Sequence, residues 1–111
     1  MTALDALRVV TEQVDAFNAH DLDAFVATYA EDAVVTGVGD APLAGRDAIR
    51  AFYADRFSYP GLSCSVATHA LFGERWVVAQ EYVVRDGVAT ETIATFDVRD
   101  GLIRRASMVK A

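Results

Sequence analysis

Two carboxylates in this chain have positions from which they could move a proton, Glu81 and Asp40. Glu81 lies in mid-run of a stretch that alternates like a strand, on the face its apolar neighbours mark as inward. A carboxylate buried without a partner has its pKa raised and can act as general base or acid. The alternative is a structural carboxylate, hydrogen-bonded, paired with an inward cation, or sent to a rim by a bulge. Asp40 lies in a Gly/Pro loop, 37–45, from which it could swing to a pocket mouth; aspartate in such a loop also simply makes turns. Tyr29 and Tyr53 can present hydroxyls to a cavity or pack as core aromatics. Gln13 reaches inward if the first helix rolls slightly. Thr36, Thr92, Ala94, Phe96 and Met108 complete the expected pocket lining. His20 falls at a helix junction and reads as a turn or cap residue, and His69 reads as outward-facing. With Cys64 the lone cysteine, no metal-ligand spacing is present, and Cys64 reads as a small core hydrophobe. Gly37-Val38-Gly39 is too short for a phosphate-binding loop, so no cofactor is expected.

The elements that must position these groups follow from periodicity and turn chemistry. Residues 3–19 read as a helix with Leu4, Leu7, Val10, Val14 and Phe17 on one stripe. Asp21 is a good N-cap for a second helix over about 22–30. Ala33–Thr36 is a short strand, and Asp47 opens a third helix that buries Ile49, Phe52, Tyr53 and Phe57 and stops at Tyr59-Pro60-Gly61. From residue 62 the chain reads as strands at about 62–72, 75–85, 88–98 and 102–109, separated by the turn signals Gly73-Glu74, Asp86-Gly87 and Asp100-Gly101. Pairing 85 with 88 places Glu81 opposite Thr92. Counting back from Gly73-Glu74 places 70 opposite 77, 68 opposite 79 and 66 opposite 81. One face then carries Val77, Ala79, Glu81, Ala94 and Phe96; the other carries His69, Leu71, Trp76, Tyr82 and Ile93. The last strand has two registers: a three-residue turn faces Ala106, Met108 and Lys110 inward, a two-residue turn Arg105, Ser107 and Val109. The fold class is α+β, three N-terminal helices packed on a curved antiparallel sheet. The second sheet face is too apolar for ordinary solvated surface, and a homodimer through Trp76, Tyr82 and Ile93 is expected.

Composition bounds the rest. At 111 residues the chain is expected to form one domain, 1–111. A net charge of -6 argues against a general affinity for nucleic acid. One cysteine excludes an internal disulfide framework. No signal-like N-terminus and no membrane-length apolar run are present, so the expectation is a cytoplasmic protein without membrane attachment.

Five segments together resemble the NTF2-like superfamily, within it the SnoaL-like and ketosteroid-isomerase-like proteins: Asp21-Leu22-Asp23-Ala24, Tyr29-Ala30-Glu31-Asp32-Ala33-Val34, Gly45-Arg46-Asp47-Ala48-Ile49 with Phe52-Tyr53, Tyr59-Pro60-Gly61-Leu62, and Arg99-Asp100-Gly101-Leu102-Ile103. The resemblance spans nearly the whole chain. It implies a cone-shaped fold, a bent sheet wrapping helices around a pocket, and hosts isomerases, cyclases, hydrolases, dehydratases and non-catalytic binders alike. The isomerases of the family use a base that falls here on Gly37, a tyrosine that falls near Gln13, and an oxyanion-binding aspartate that falls on Ala94, or on Thr92 if the register slips. The cyclases' acid on the last strand has no counterpart in Ala106-Ser107-Met108-Val109-Lys110. The epoxide hydrolases' arginine is missing from strand 88–98, and the dehydratases' inward histidines have no match if His69 faces out.

Three functions stay open: a binder of a small hydrophobic (steroid-, polyketide- or terpenoid-like) molecule; a proton-transfer enzyme with Glu81 or Asp40 as base; and a dimerising accessory domain. A cavity of several hundred Å³ with a carboxylate inside favours the enzyme, an apolar cavity the binder, and a filled one the accessory domain.

Overall fold

Thr2 starts the first helix with reciprocal hydrogen bonds. Its hydroxyl accepts from the Asp5 amide at 3.2 Å, and the Asp5 carboxylate accepts from the Thr2 amide at 2.8 Å. The helix, α1 (Ala3–Ala19), is followed by α2 (Leu22–Ala27), which Asp21 caps by accepting from the Ala24 amide at 3.1 Å. This is a computed structural model, and it describes residues 1–111. The remaining elements are β1 (Tyr29–Thr36), β2 (Leu43–Ala44), α3 (Arg46–Arg56), β3 (Ser63–Phe72), β4 (Trp76–Arg85), β5 (Val88–Arg99) and β6 (Leu102–Lys110). No helix is long and apolar enough to cross a membrane.

The helices pack on one face of a six-stranded sheet of order β2-β1-β6-β5-β4-β3. The α+β class stands, with one refinement. β3 to β6 form the expected antiparallel meander, but β1 lies parallel to β6, so the sheet is mixed. The second helix ends at Ala27 rather than near residue 30, and Tyr29 begins a strand. Pairing with β6 decides this, Tyr29 lying opposite Ile103, and it overrides the weak strand propensity of Ala30-Glu31-Asp32.

The β4–β5 hairpin has the register that its turn dictates. Arg85 pairs with Val88, and Asp86 and Gly87 both adopt positive φ, as a two-residue hairpin turn requires. Two bulges alter the neighbouring strands. Between Val66 and Thr68 the pairing shifts, so His69 lies opposite Ala79 and Leu71 opposite Val77. The expected faces of 68–72 are therefore exchanged: His69 and Leu71 take the helix-facing side, while Ala70 and Phe72 take the outer one. On β6 the turn is the short one, Arg99 opposite Leu102, yet a bulge at Arg104 reverses the phase and turns Ala106, Met108 and Lys110 inward. The facing expected of a longer turn thus arises by a different route.

Helix α1 is rolled relative to the expected stripe. Leu4 is 72% exposed, whereas Ala6, Val9, Val10, Gln13 and Ala16 are buried. The core joins these to Phe25, Tyr29, Val35, Ile49, Phe96 and Ile103. At one end Asn18 ties α1 to the edge strand β3, donating to the Cys64 carbonyl at 2.9 Å and accepting from the Cys64 amide at 2.7 Å. Beside it His20, in the left-handed conformation that ends α1, bonds the Leu62 carbonyl through Nε2 at 2.8 Å and stacks on Phe57. Its role is structural.

Candidate functional site

Helix packing leaves one cavity between α1, α3 and the inner sheet face, with a volume of about 260 Å³. Gln13 and Phe17 come from α1, Phe52, Tyr53 and Arg56 from α3, and Glu81, Val83 and Arg85 from β4. Thr90 and Thr92 of β5, Met108 and Lys110 of β6, and Cys64 of β3 close the sheet side. Gly37 and Val38, just past β1, complete the wall.

Glu81 is the one carboxylate in this lining. It is 4% exposed, opposite Thr92 and Val66 on the two neighbouring strands. Its Oε2 is buried with no hydrogen-bond partner, and the Thr92 hydroxyl across the ladder is also buried and unpartnered. Two orphaned polar atoms side by side are costly, about 1–3 kcal/mol each, unless something in the cavity meets them. Burial pushes the Glu81 carboxyl up to about 6, while the Cys64 thiol, close enough to favour the charged form, works against the shift. Burial first, and then the Glu81 charge, raise the Cys64 thiol, so Cys64 is a protonated neighbour and not a nucleophile. The same two causes in the same order raise the Tyr53 hydroxyl, which therefore stays a neutral hydrogen-bond donor.

Of the residues expected in the pocket, Gln13, Tyr53, Glu81, Thr92 and Met108 share this lining. Gln13 does so because α1 is rolled, and its Nε2 donates to the Tyr29 hydroxyl at 3.1 Å. Tyr29 itself lies behind Gln13, fully buried, with its hydroxyl pKa raised well up by burial. Ala94 and Phe96 face inward as expected but lie deeper, beneath the helices, with no exposed surface. Thr36 pairs with Ser107 on the outer phase, because Val35 takes the inward position. Asp40 is exposed and outside the lining; β2 clips the end of its loop to β1. His69, although its backbone phase is inward, is exposed near the sheet edge and also outside the lining.

Gly37, the position on which the resemblance places the isomerases' base, is tightly packed. It has φ +85°, and a Cβ added to it would stand 1.8 Å from the Met108 carbonyl oxygen. No side chain fits between β1 and β6 at this point. Sequence reasoning missed the cations Arg56 and Arg85 of the lining and left Lys110 open between two registers. Arg85 was readable, since it shares the inward phase of Glu81 on β4; Lys110 needed the Arg104 bulge.

The family model described as a SnoaL-like domain matches residues 10–106. The chain belongs to this SnoaL-like family. Solved structures agree on the fold. An uncharacterised cystatin-fold protein from Novosphingobium aromaticivorans superposes with a TM-score of 0.83 at 20% identity, covering 98% of each chain. A putative ketosteroid isomerase from Kribbella flavida gives 0.83 at 18% identity, over 96% of this chain and 78% of that one. A computationally designed 17-OHP binder gives 0.82 at 18% identity, over 95% and 92%.

Proposed function

We propose that the cavity binds a compact, mostly apolar organic molecule with a polar group at its inner end, and that Glu81 and Thr92 meet this group. The carrying observation is the pair of buried, unpartnered atoms, Glu81 Oε2 and Thr92 Oγ1, in a lining of which half the residues are apolar or aromatic. Pockets of this character, an apolar shell with a few convergent polar groups, are the usual form of small-molecule sites. The volume of about 260 Å³ lies just below their usual range of roughly 300–1,000 Å³, which favours a one- or two-ring body. The family and the fold are consistent with such a role.

A specific observation favours a second step, proton transfer. The Glu81 pKa of about 6 leaves the carboxylate mostly ionised at neutral pH, yet basic enough to accept a proton. A carbon acid next to a carbonyl would lose its proton to Glu81. The C–H electron pair would move onto the carbonyl oxygen, and the neutral Tyr53 or Thr92 hydroxyl would donate to the resulting enolate. Return of the proton, to the same or a conjugated carbon, restores Glu81. Asp40, exposed and outside the cavity, leaves the base role to Glu81.

One experiment separates the readings: 1-tetralone titrated into the protein in D2O and followed by NMR. Saturable shifts of resonances from Phe52, Tyr53 and Thr92 are expected, with catalysed exchange of the protons next to the carbonyl. Glu81→Gln should keep the shifts and lose the exchange by about 100-fold or more. Binding without exchange above the solvent rate would leave a binding module. Absence of saturable shifts would overturn the cavity as a ligand site.

A further inference from the structure

The cavity lining has a charge balance opposite to that of the chain. The chain has 10 basic and 16 acidic residues, but the lining holds Arg56, Arg85 and Lys110 against Glu81 alone. Arg85 and Lys110 have no carboxylate within 4.0 Å, and the single ion pair of Arg56, to Asp55, is a loose 3.9 Å contact. Aromatic rings brace both guanidinium groups: Arg56 lies 4.6 Å from the Phe52 ring centre and Arg85 5.8 Å from that of Tyr59. They are held in place without being neutralised.

Their positions relative to Glu81 are fixed by the sheet. Arg85 follows Glu81 by four residues on the same face of β4, about 13 Å along the strand at the backbone. Lys110 lies opposite Thr92, which lies opposite Glu81, so it is two strands across, about 10 Å away. Arg85 and Lys110 are exposed whereas Glu81 is buried, so the cations form the outer end of the cavity and the carboxylate the inner end.

We propose that the ligand is an amphipathic organic acid, its carboxylate held at the rim by Arg56, Arg85 and Lys110, and its apolar body directed inward so that a polar group at the far end meets Glu81 and Thr92. The proposal rests on the reading of the cavity as a ligand site. Charge also sets the orientation. A ligand carboxylate placed beside Glu81 would be repelled, and one at the rim is attracted by three cations while water still solvates its outer side.

The test uses a matched pair of probes, 6-hydroxy-2-naphthoate and its neutral amide, with binding read by fluorescence. The acid should bind at least fivefold more tightly than the amide at low salt. That margin should shrink toward parity in salt well above physiological strength, because exposed charges are screened. Arg85→Gln with Lys110→Gln should remove the margin as well; both residues are exposed, and an unchanged circular dichroism spectrum verifies folding. Equal binding of the two probes by the wild-type protein would overturn the rim proposal and leave the cavity reading standing. Failure of both probes to bind would overturn both. A margin that survives the double variant would overturn the assignment to these two side chains.

Discussion

At the scale of the residue, Glu81 costs the protein stability. Its carboxyl binds its proton more tightly in the folded state than in the unfolded chain, the pKa rising from 4.5 to about 6. The folded state therefore carries the extra proton between those values, and stability falls as pH rises through that window. The size of the shift corresponds to about 2 kcal/mol lost by neutral pH. Glu81→Gln should be more stable than wild type by about 2 kcal/mol at pH 8, and the gain should vanish at pH 4. Urea denaturation at the two pH values measures this; equal stabilities at pH 8 would mean that water or another group already satisfies the carboxylate. A residue that weakens the fold while lining the cavity between helices and sheet fits a group kept for what it does there. Asp97 has a different character. It is 1% exposed, but Arg75 at 2.9 Å and Arg99 at 3.5 Å hold its carboxylate, so it belongs to the structure of the sheet end.

At the scale of the element, the contact between β1 and β6 constrains the site more than any helix does. Gly37→Ala should destabilise the protein by roughly 2–5 kcal/mol, since the substitution combines a left-handed backbone with a clash against the Met108 carbonyl. A thermal or denaturant melt gives the value, and a neutral result would show that β1 can move away from β6. The legibility of the elements follows the range of the forces that set them. The β4–β5 hairpin was readable to the residue because its Asp-Gly turn fixes the register locally, and that register alone put Glu81 opposite Thr92 and inside. The parallel pairing of β1 with β6 was not readable, because nothing in Tyr29–Thr36 specifies a partner so remote in the chain. The bulges near Ala67 and at Arg104 were equally silent; each inserts one residue for reasons of sheet curvature, and each inverts the facing of everything beyond it. Lys110 was therefore ambiguous and His69 was misplaced. The roll of α1 moved Gln13 inward and Leu4 outward, which a helix with apolar residues on several sides allows.

At the scale of the whole molecule, the outer sheet face leaves Phe72, Tyr82 and Val109 exposed, beside the half-buried Trp76, Val78 and Ile93. A row of these residues crosses four strands, interrupted by the Gln80–Glu91 hydrogen bond of 2.7 Å. A homodimer through this face is proposed, and Ile93→Lys combined with Val109→Glu should dissociate it. Sedimentation equilibrium is the measurement, and a monomeric wild type at high micromolar concentration would dispose of the idea. The mixed sheet also has a consequence for the order in which the molecule assembles. The three hairpins from β3 to β6 close over short loops and can form early, whereas β1 must find β6 across about two thirds of the chain, from Tyr29 to Ile103. Gly37, Val38 and Met108, the stretch of wall where those two strands meet, come together only at that last closure. The cavity is thus among the final features to appear as the chain folds, and a nascent protein with its meander already in place would still have no enclosed space to offer a ligand.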